Sequence, residues 1–179
     1  MLEIELAVLL RSVIVAGLTL RGITANVKQA NQSRQQGIPS TATIFFFHVD
    51  TTDIGWPAKK NVWNSMTGVF DVTKTQRRES RWQIGALAPQ TPSTTARTAA
   101  DYILAVKSIL AEDVAINTLK GSGVGIQHTT TARSVWFQDD KSQNSENPSF
   151  DVILSHQEVI VSHIGKVDNI NPNFVGAVE

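Results

Sequence analysis

Three groups of residues in this 179-residue chain have types and spacings suited to chemistry. The first is His48, Asp50 and Asp53. On a strand of period two, His48 and Asp50 share a face and Asp53 follows, and imidazole with carboxylate oxygens is a ligand set for a divalent ion. A metal-dependent hydrolase or nuclease using His48, Asp50 and Asp53 is therefore the enzymatic alternative. Only two or three ligands are visible, however, and Asp is a common turn former at strand ends, so the structural reading is preferred. The second group is Gly121-Ser122-Gly123-Val124-Gly125. A phosphate loop needs a strand, then glycines, then a helix whose N-terminus faces the phosphate. Here the glycines follow a helix, lead into a strand and lack a Lys-Ser/Thr, so they read as a helix cap and turn.

The remaining histidines do not converge. His156 and His163 lie seven apart, on opposite rows of one expected strand, and His128 stands alone in a Thr-rich stretch. No Gly-x-Ser-x-Gly elbow surrounds any serine. The sequence therefore leads us to expect no catalytic residue, no metal and no cofactor. The third group, Arg77, Arg78 and Arg81 with Glu79 and Trp82, is the only basic cluster. Such guanidinium groups pair with a neighbour's carboxylates or touch phosphates. The plain alternative is a solvated strand with Glu79 as local partner. Arg77, Arg78, Glu79 and Arg81 are the candidate interface or lumen residues.

Composition narrows the classes. Charged residues are 18%, below the usual quarter, and polar uncharged residues fill the gap, which suits a protein packed against copies of itself. The formal net charge is zero, so there is no basic excess for a dedicated nucleic-acid binder. Without cysteine there is no disulfide frame, thiolate zinc site or cysteine nucleophile. The N-terminus, Met1-Leu2-Glu3-Ile4-Glu5, is acidic where a signal peptide is basic. Arg11 and Arg21 interrupt the apolar stretch that follows before it reaches membrane-spanning length. A soluble, cytosolically made chain without a membrane partner is expected.

The elements that must position these residues read as follows. Leu2, Leu6, Leu9, Leu10, Val13, Gly17 and Leu18 give helical spacing over residues 2–20, with Ile14, Val15 and Leu20 widening the stripe. Asn26 to Ser40 reads as a polar excursion. Thr41 to Val49 is apolar on both rows, as in a central strand covered on two faces. Thr51 to Lys60, with Gly55 and Pro57, reads as a loop. Residues 69–87 form one long strand whose middle leaves the core, because no turn residue lies between Val72 and Gly85. Gln90 to Thr95 supplies a proline and capping hydroxyls before a helix built on Ala99, Tyr102, Ile103, Val106 and Leu110. A short helix covers Asp113 to Lys120. Val124–Phe137 and Phe150–Ile164 read as strands, with Gln138 to Ser149 a polar loop between them. The expected fold class is α+β: a mostly antiparallel twisted sheet with an N-terminal and a central helix packed on it, and long loops. Residues 1–164 form one domain and 165–179 a polar tail.

Five segments, taken in order, carry a resemblance. They are Val27-Lys28-Gln29-Ala30-Asn31-Gln32, Thr43-Ile44-Phe45-Phe46-Phe47, the run from Thr75 to Leu87, Gly123-Val124-Gly125-Ile126, and Phe137-Gln138-Asp139-Asp140 with Asn147-Pro148-Ser149-Phe150-Asp151. The set resembles the neck and tail-terminator proteins of tailed bacteriophages, above all the gateway proteins, over roughly residues 25–160. The resemblance implies a structural virion protein, assembled in the host cytoplasm. It would be a ring subunit between portal or connector and the tail or collar proteins, passing double-stranded DNA, with no substrate or cofactor. A chain this long makes a globule roughly 40 Å across. Six in a circle leave a lumen of roughly 40 Å for a duplex roughly 20 Å wide, so six copies are favoured over twelve.

Overall fold

The computed structural model describes residues 2–29, 40–89, 96–138 and 144–165. The chain order is α1 (Glu3–Leu20), β1 (Asn26–Gln29), β2 (Thr43–Asn64), β3 (Val69–Leu87), α2 (Ala99–Leu110), α3 (Asp113–Gly121), β4 (Gly125–Thr129), β5 (Arg133–Gln138) and β6 (Asn144–Gly165). The six strands form one mixed, mostly antiparallel sheet in the order β1-β2-β3-β6-β4, with β5 also paired to β6. The class is α+β, as the sequence leads one to expect.

Register explains the core. Directly paired residues of antiparallel strands share a face. Phe46, Ile84 and Phe150 form one row across β2, β3 and β6, and His48, Trp82 and Val152 form the next. Except for His48, these side chains are fully buried against Leu6, Leu10 and Ile14 of α1 and Ile103, Val106 and Ile109 of α2. Gly17 lets the two helices touch, since a Cβ there would collide with Ile109. The opposite face has no helix among the described residues. Phe45 and Phe47 are half-buried and Val49 is exposed, so the central strand is covered fully on one face, not two. The expected apolar stripe over residues 2–20 also overstates burial, because Leu2, Val15 and Leu20 remain exposed.

The helix ends are set by local chemistry. The Glu5 carboxylate accepts from the Leu2 N–H at 2.8 Å, and Glu3 and Glu5 both complement the positive end of α1. At its far end the Gly22 N–H donates to the Thr19 carbonyl and the Ile23 N–H to that of Leu18, with Gly22 at φ +62°. The glycines after α3 repeat that closure. Gly123, at φ +75°, donates to Lys120 and Val124 donates to Leu119, placing buried Val124 on buried Leu119. The cap-and-turn reading of 121–125 is thus the observed one. Thr98 caps α2 and exchanges hydrogen bonds with Asp101, whose carboxyl is held below its usual range mainly by the Thr98 backbone N–H. The hydroxyls of 90–95 lie outside the described residues.

Four segments differ from the sequence reading. Asn26–Gln29, inside the expected polar excursion, is a strand parallel to β2, anchored by buried Val27. Residues 51–60 are not a loop but the continuation of β2, with the pairing to β3 irregular between Ile54 and Ala58. The single strand expected over 124–137 is two, β4 and β5, laid end to end along β6. Residues 144–149 belong to β6 and pair with β5, so only 139–143 of the expected polar loop lie outside the described residues. Of the expected tail, Gly165 ends β6 and residues 166–179 lie outside the described residues.

Candidate functional site

Beyond the helices the sheet continues as a three-stranded arm. β3 pairs with β2 out to Val69–Asn64 and with β6 out to Val69–Gly165. The 19-residue β3 was legible as one strand, and its burial lapses between Thr73 and Glu79 as its polar middle requires. Residues 49–63 of β2 are exposed throughout. At the tip, Trp63, Phe70 and Ile164 form a row across all three strands, and Trp63 meets Phe70 edge to face at 4.9 Å. Trp56 is 97% exposed and Met66 96% exposed.

The candidate arginines lie where root becomes arm. The Arg78 Nε donates to Asp53 Oδ1 at 2.7 Å, and its Nη1 lies 2.6 Å from Glu158 Oε2. One guanidinium thus bridges β2 and β6 across β3, and the hydrogen bond to Asp53 is the largest cause raising its pKa. Arg81 pairs with Asp50 at 3.3 Å, directly opposite in register. Arg77 lies 3.9 Å from Glu79, two residues along the same strand, and its side chain is half exposed. Arg77, Glu79 and Arg81 share the helix-free face, whereas Arg78 shares the helix-backed face. The arginines therefore do different jobs, two spanning strands and one standing outward.

The metal alternative fails on geometry. The register slips between His48 and Asp50, so Val49 is an extra residue and the two side chains face opposite sides of the sheet. Asp50 and Asp53 are taken by Arg81 and Arg78. No three His, Asp or Glu residues among those described converge on a metal position. His48 instead begins a hydrogen-bonded chain that runs from its Nε2 to Thr51 Oγ1 (2.7 Å), Ser80 Oγ (3.0 Å) and His156 Nε2 (3.1 Å). Ser80 and His156 are buried, and burial is the main cause lowering the His156 pKa. This polar row spans β2, β3 and β6 above the apolar core. Sequence spacing missed it because its members come from three strands.

His163 faces away from His156, as expected, and its Nδ1 lies 2.7 Å from Asp71 Oδ1 at the tip. That contact, with the Asn64 amide at 3.1 Å, holds the Asp71 carboxyl below its usual range. His128 is exposed beside an irregularity in β4. No described helix is long and apolar enough to cross a membrane.

A helix-backed mixed sheet of this kind has a counterpart among solved sheath/tube terminators. One solved structure of that kind is the terminator of the PVC extracellular contractile injection system in its extended state. It superposes with a TM-score of 0.55 at 10% identity, covering 95% of this chain. This chain spans 62% of that one. The chain belongs to the family of E217 gateway protein gp29, whose model matches residues 5–166. It is thus a member of the phage neck proteins that its ordered segments resemble. No curated protein matches it.

Proposed function

We propose that the chain is a structural subunit of a ring in the phage neck, joining portal or connector to the tail and passing the genome. The observation that carries this reading is the arm. An isolated domain has little use for three strands extended beyond its helices with Trp56, Trp63, Met66 and Phe70 left in water. A subunit enclosed by copies of itself does. Six copies suit the duplex, with portal or connector above and tail or collar proteins below, in a virion assembled in the host cytoplasm. Residues 1–164 act as one domain and 165–179 as a polar tail. No metal, cofactor or substrate is needed, because the work is geometric. Arg77, with Arg78, Glu79 and Arg81, contributes to the boundary between subunits or to the lumen. Negative-stain imaging and light scattering of the purified protein and of neck-containing particles test the reading. Closed rings of six at the neck are expected; a single copy per neck would overturn it.

A further inference from the structure

Among the described strands, the arm is a ribbon with two open long edges. On the outer side of β6, β5 takes residues 144–149 and β4 takes 152–155, and beyond these no described strand pairs. On the outer side of β2, β1 takes Thr43 to Phe46, and beyond these no described strand pairs. Each edge leaves a row of backbone donors and acceptors. The β2 edge is partly blunted by Gly55, Pro57, Lys59 and Lys60, and by the irregular pairing between Ile54 and Ala58. The β6 edge is not blunted. Residues 158–165 hold no proline, lysine or arginine, keep an unbroken register with β3, and expose Val159, Ile160, Val161 and Ile164. Such an edge invites another strand.

We propose that a second copy of this chain supplies that strand, and that the ring lumen is a closed β-barrel of arms. The outer edge of β6 in one subunit pairs with residues 47–54 of β2 in the next. This deepens, and rests on, the ring reading above. Pairing β6 with β6 is self-complementary and stops at a dimer, whereas pairing β6 with β2 is head-to-tail and closes by rotation. Rotation about the ring axis preserves strand direction. Since β2 and β6 both run antiparallel to β3, they meet in parallel, the sense in which β1 already pairs on that edge of β2.

Size supports closure at six. Three strands from each of six copies, about 4.8 Å apart and tilted by about 40°, make a barrel about 36 Å across between backbones. Lining side chains reduce this to about 26 Å, against roughly 20 Å for duplex DNA. Four copies leave about 14 Å, too narrow, and twelve leave about 60 Å, too wide to guide a duplex. Helices about 10 Å thick do not fit inside such a barrel, so the helix-backed face turns outward. The lumen is then lined by Lys60, Thr73, Thr75, Arg77, Val159 and Val161, while Arg78 lies outside it.

The absence of cysteine allows a clean test. Val161→Cys is combined in turn with Asp50→Cys, Thr52→Cys and Ile54→Cys. All four positions share the lumen face, and the partner positions cover the register in steps. Virions carrying each pair are treated with a short bismaleimide and the denatured chain is sized. One pair is expected to give a covalent ladder of this chain that ends at six, with no ladder from any single variant. Imaged rings with no ladder from any pair would overturn the barrel and leave the ring standing. Cross-links from Val161→Cys to a different virion protein would assign the edge to that protein and overturn the proposal. A neck without a ring would overturn both readings.

Discussion

The root and the arm of this sheet share three strands and a continuous register, yet they are stabilised differently. In the root, Ile44, Phe46, Trp82, Ile84, Phe150 and Val152 are fully buried under two helices. In the arm, the same strands carry exposed Val62, Val159, Val161 and Ile164, joined by backbone pairing and by ion pairs in water. Burial of apolar area is worth roughly 25 cal/mol per Å², so stability concentrates in the root, whereas partly solvated ion pairs contribute about 1 kcal/mol at most. The root keeps the subunit folded; the arm is left with surface that only assembly covers.

That contrast orders the expected effects of substitution. The largest belongs to Trp82→Ala, which empties the centre of the root where Trp82 packs on Phe46 and His48. A loss of about 3–5 kcal/mol is expected, seen as a lowered denaturant midpoint. A cost below 1 kcal/mol would mean that the root is not the main source of stability. Next is Gly17→Ala, whose methyl collides with Ile109 and forces α1 from α2. Overpacking of this kind costs about 1–3 kcal/mol, measurable by thermal unfolding.

A smaller effect lies at the seam. His156 is buried with its pKa depressed. The unfolded chain binds a proton near pH 6.5 and the native imidazole only at lower pH. Its contribution to stability is therefore full above about 6.5 and is lost as pH falls through the native value. Urea titrations between pH 7.5 and 5 should show this slope, and His156→Gln should flatten it. If the slope survived the substitution, the network from His48 to His156 would not be its source. Smallest for the fold is Arg77→Ala, expected within about 0.5 kcal/mol of the parent by the same titration while ring yield falls. Arg78→Ala, which releases both Asp53 and Glu158, should cost more, up to about 1 kcal/mol. Reversal of that order would place Arg77, not Arg78, in the subunit's own framework.

What the sequence made legible follows the same division. In α1, α2, α3 and the root of β2 and β3, burial writes a period into the residues, and these elements lie where the pattern places them. In the arm, order comes from partner strands, which leave no period. Gly55 and Pro57 thus read as a loop, though β2 runs on past them beside β3. Residues 144–149 look structureless because β5, not a core, pairs with them. β1 was hidden because only Val27 of its four residues is buried. For the site, Arg77, Arg78, Glu79 and Arg81 were visible as a cluster, but their partners Asp50, Asp53 and Glu158 were not. The one-residue slip at Val49, which no local composition announces, separates His48 from Asp50 and removes the apparent ligand pair.

The unbroken pairing of β3 with β6 from Gly85 to Val69 also has a mechanical meaning. At about 3.3 Å per residue, β3 is a beam roughly 60 Å long, clamped under the helices at one end and free at the other. A tilt of the clamped end by about five degrees displaces the free end by about 5 Å, more than a full strand spacing. Whatever docks on the helix layer thereby holds the short side of a lever. A small rotation imposed there is delivered, magnified, at the tip that carries Trp63 and Phe70.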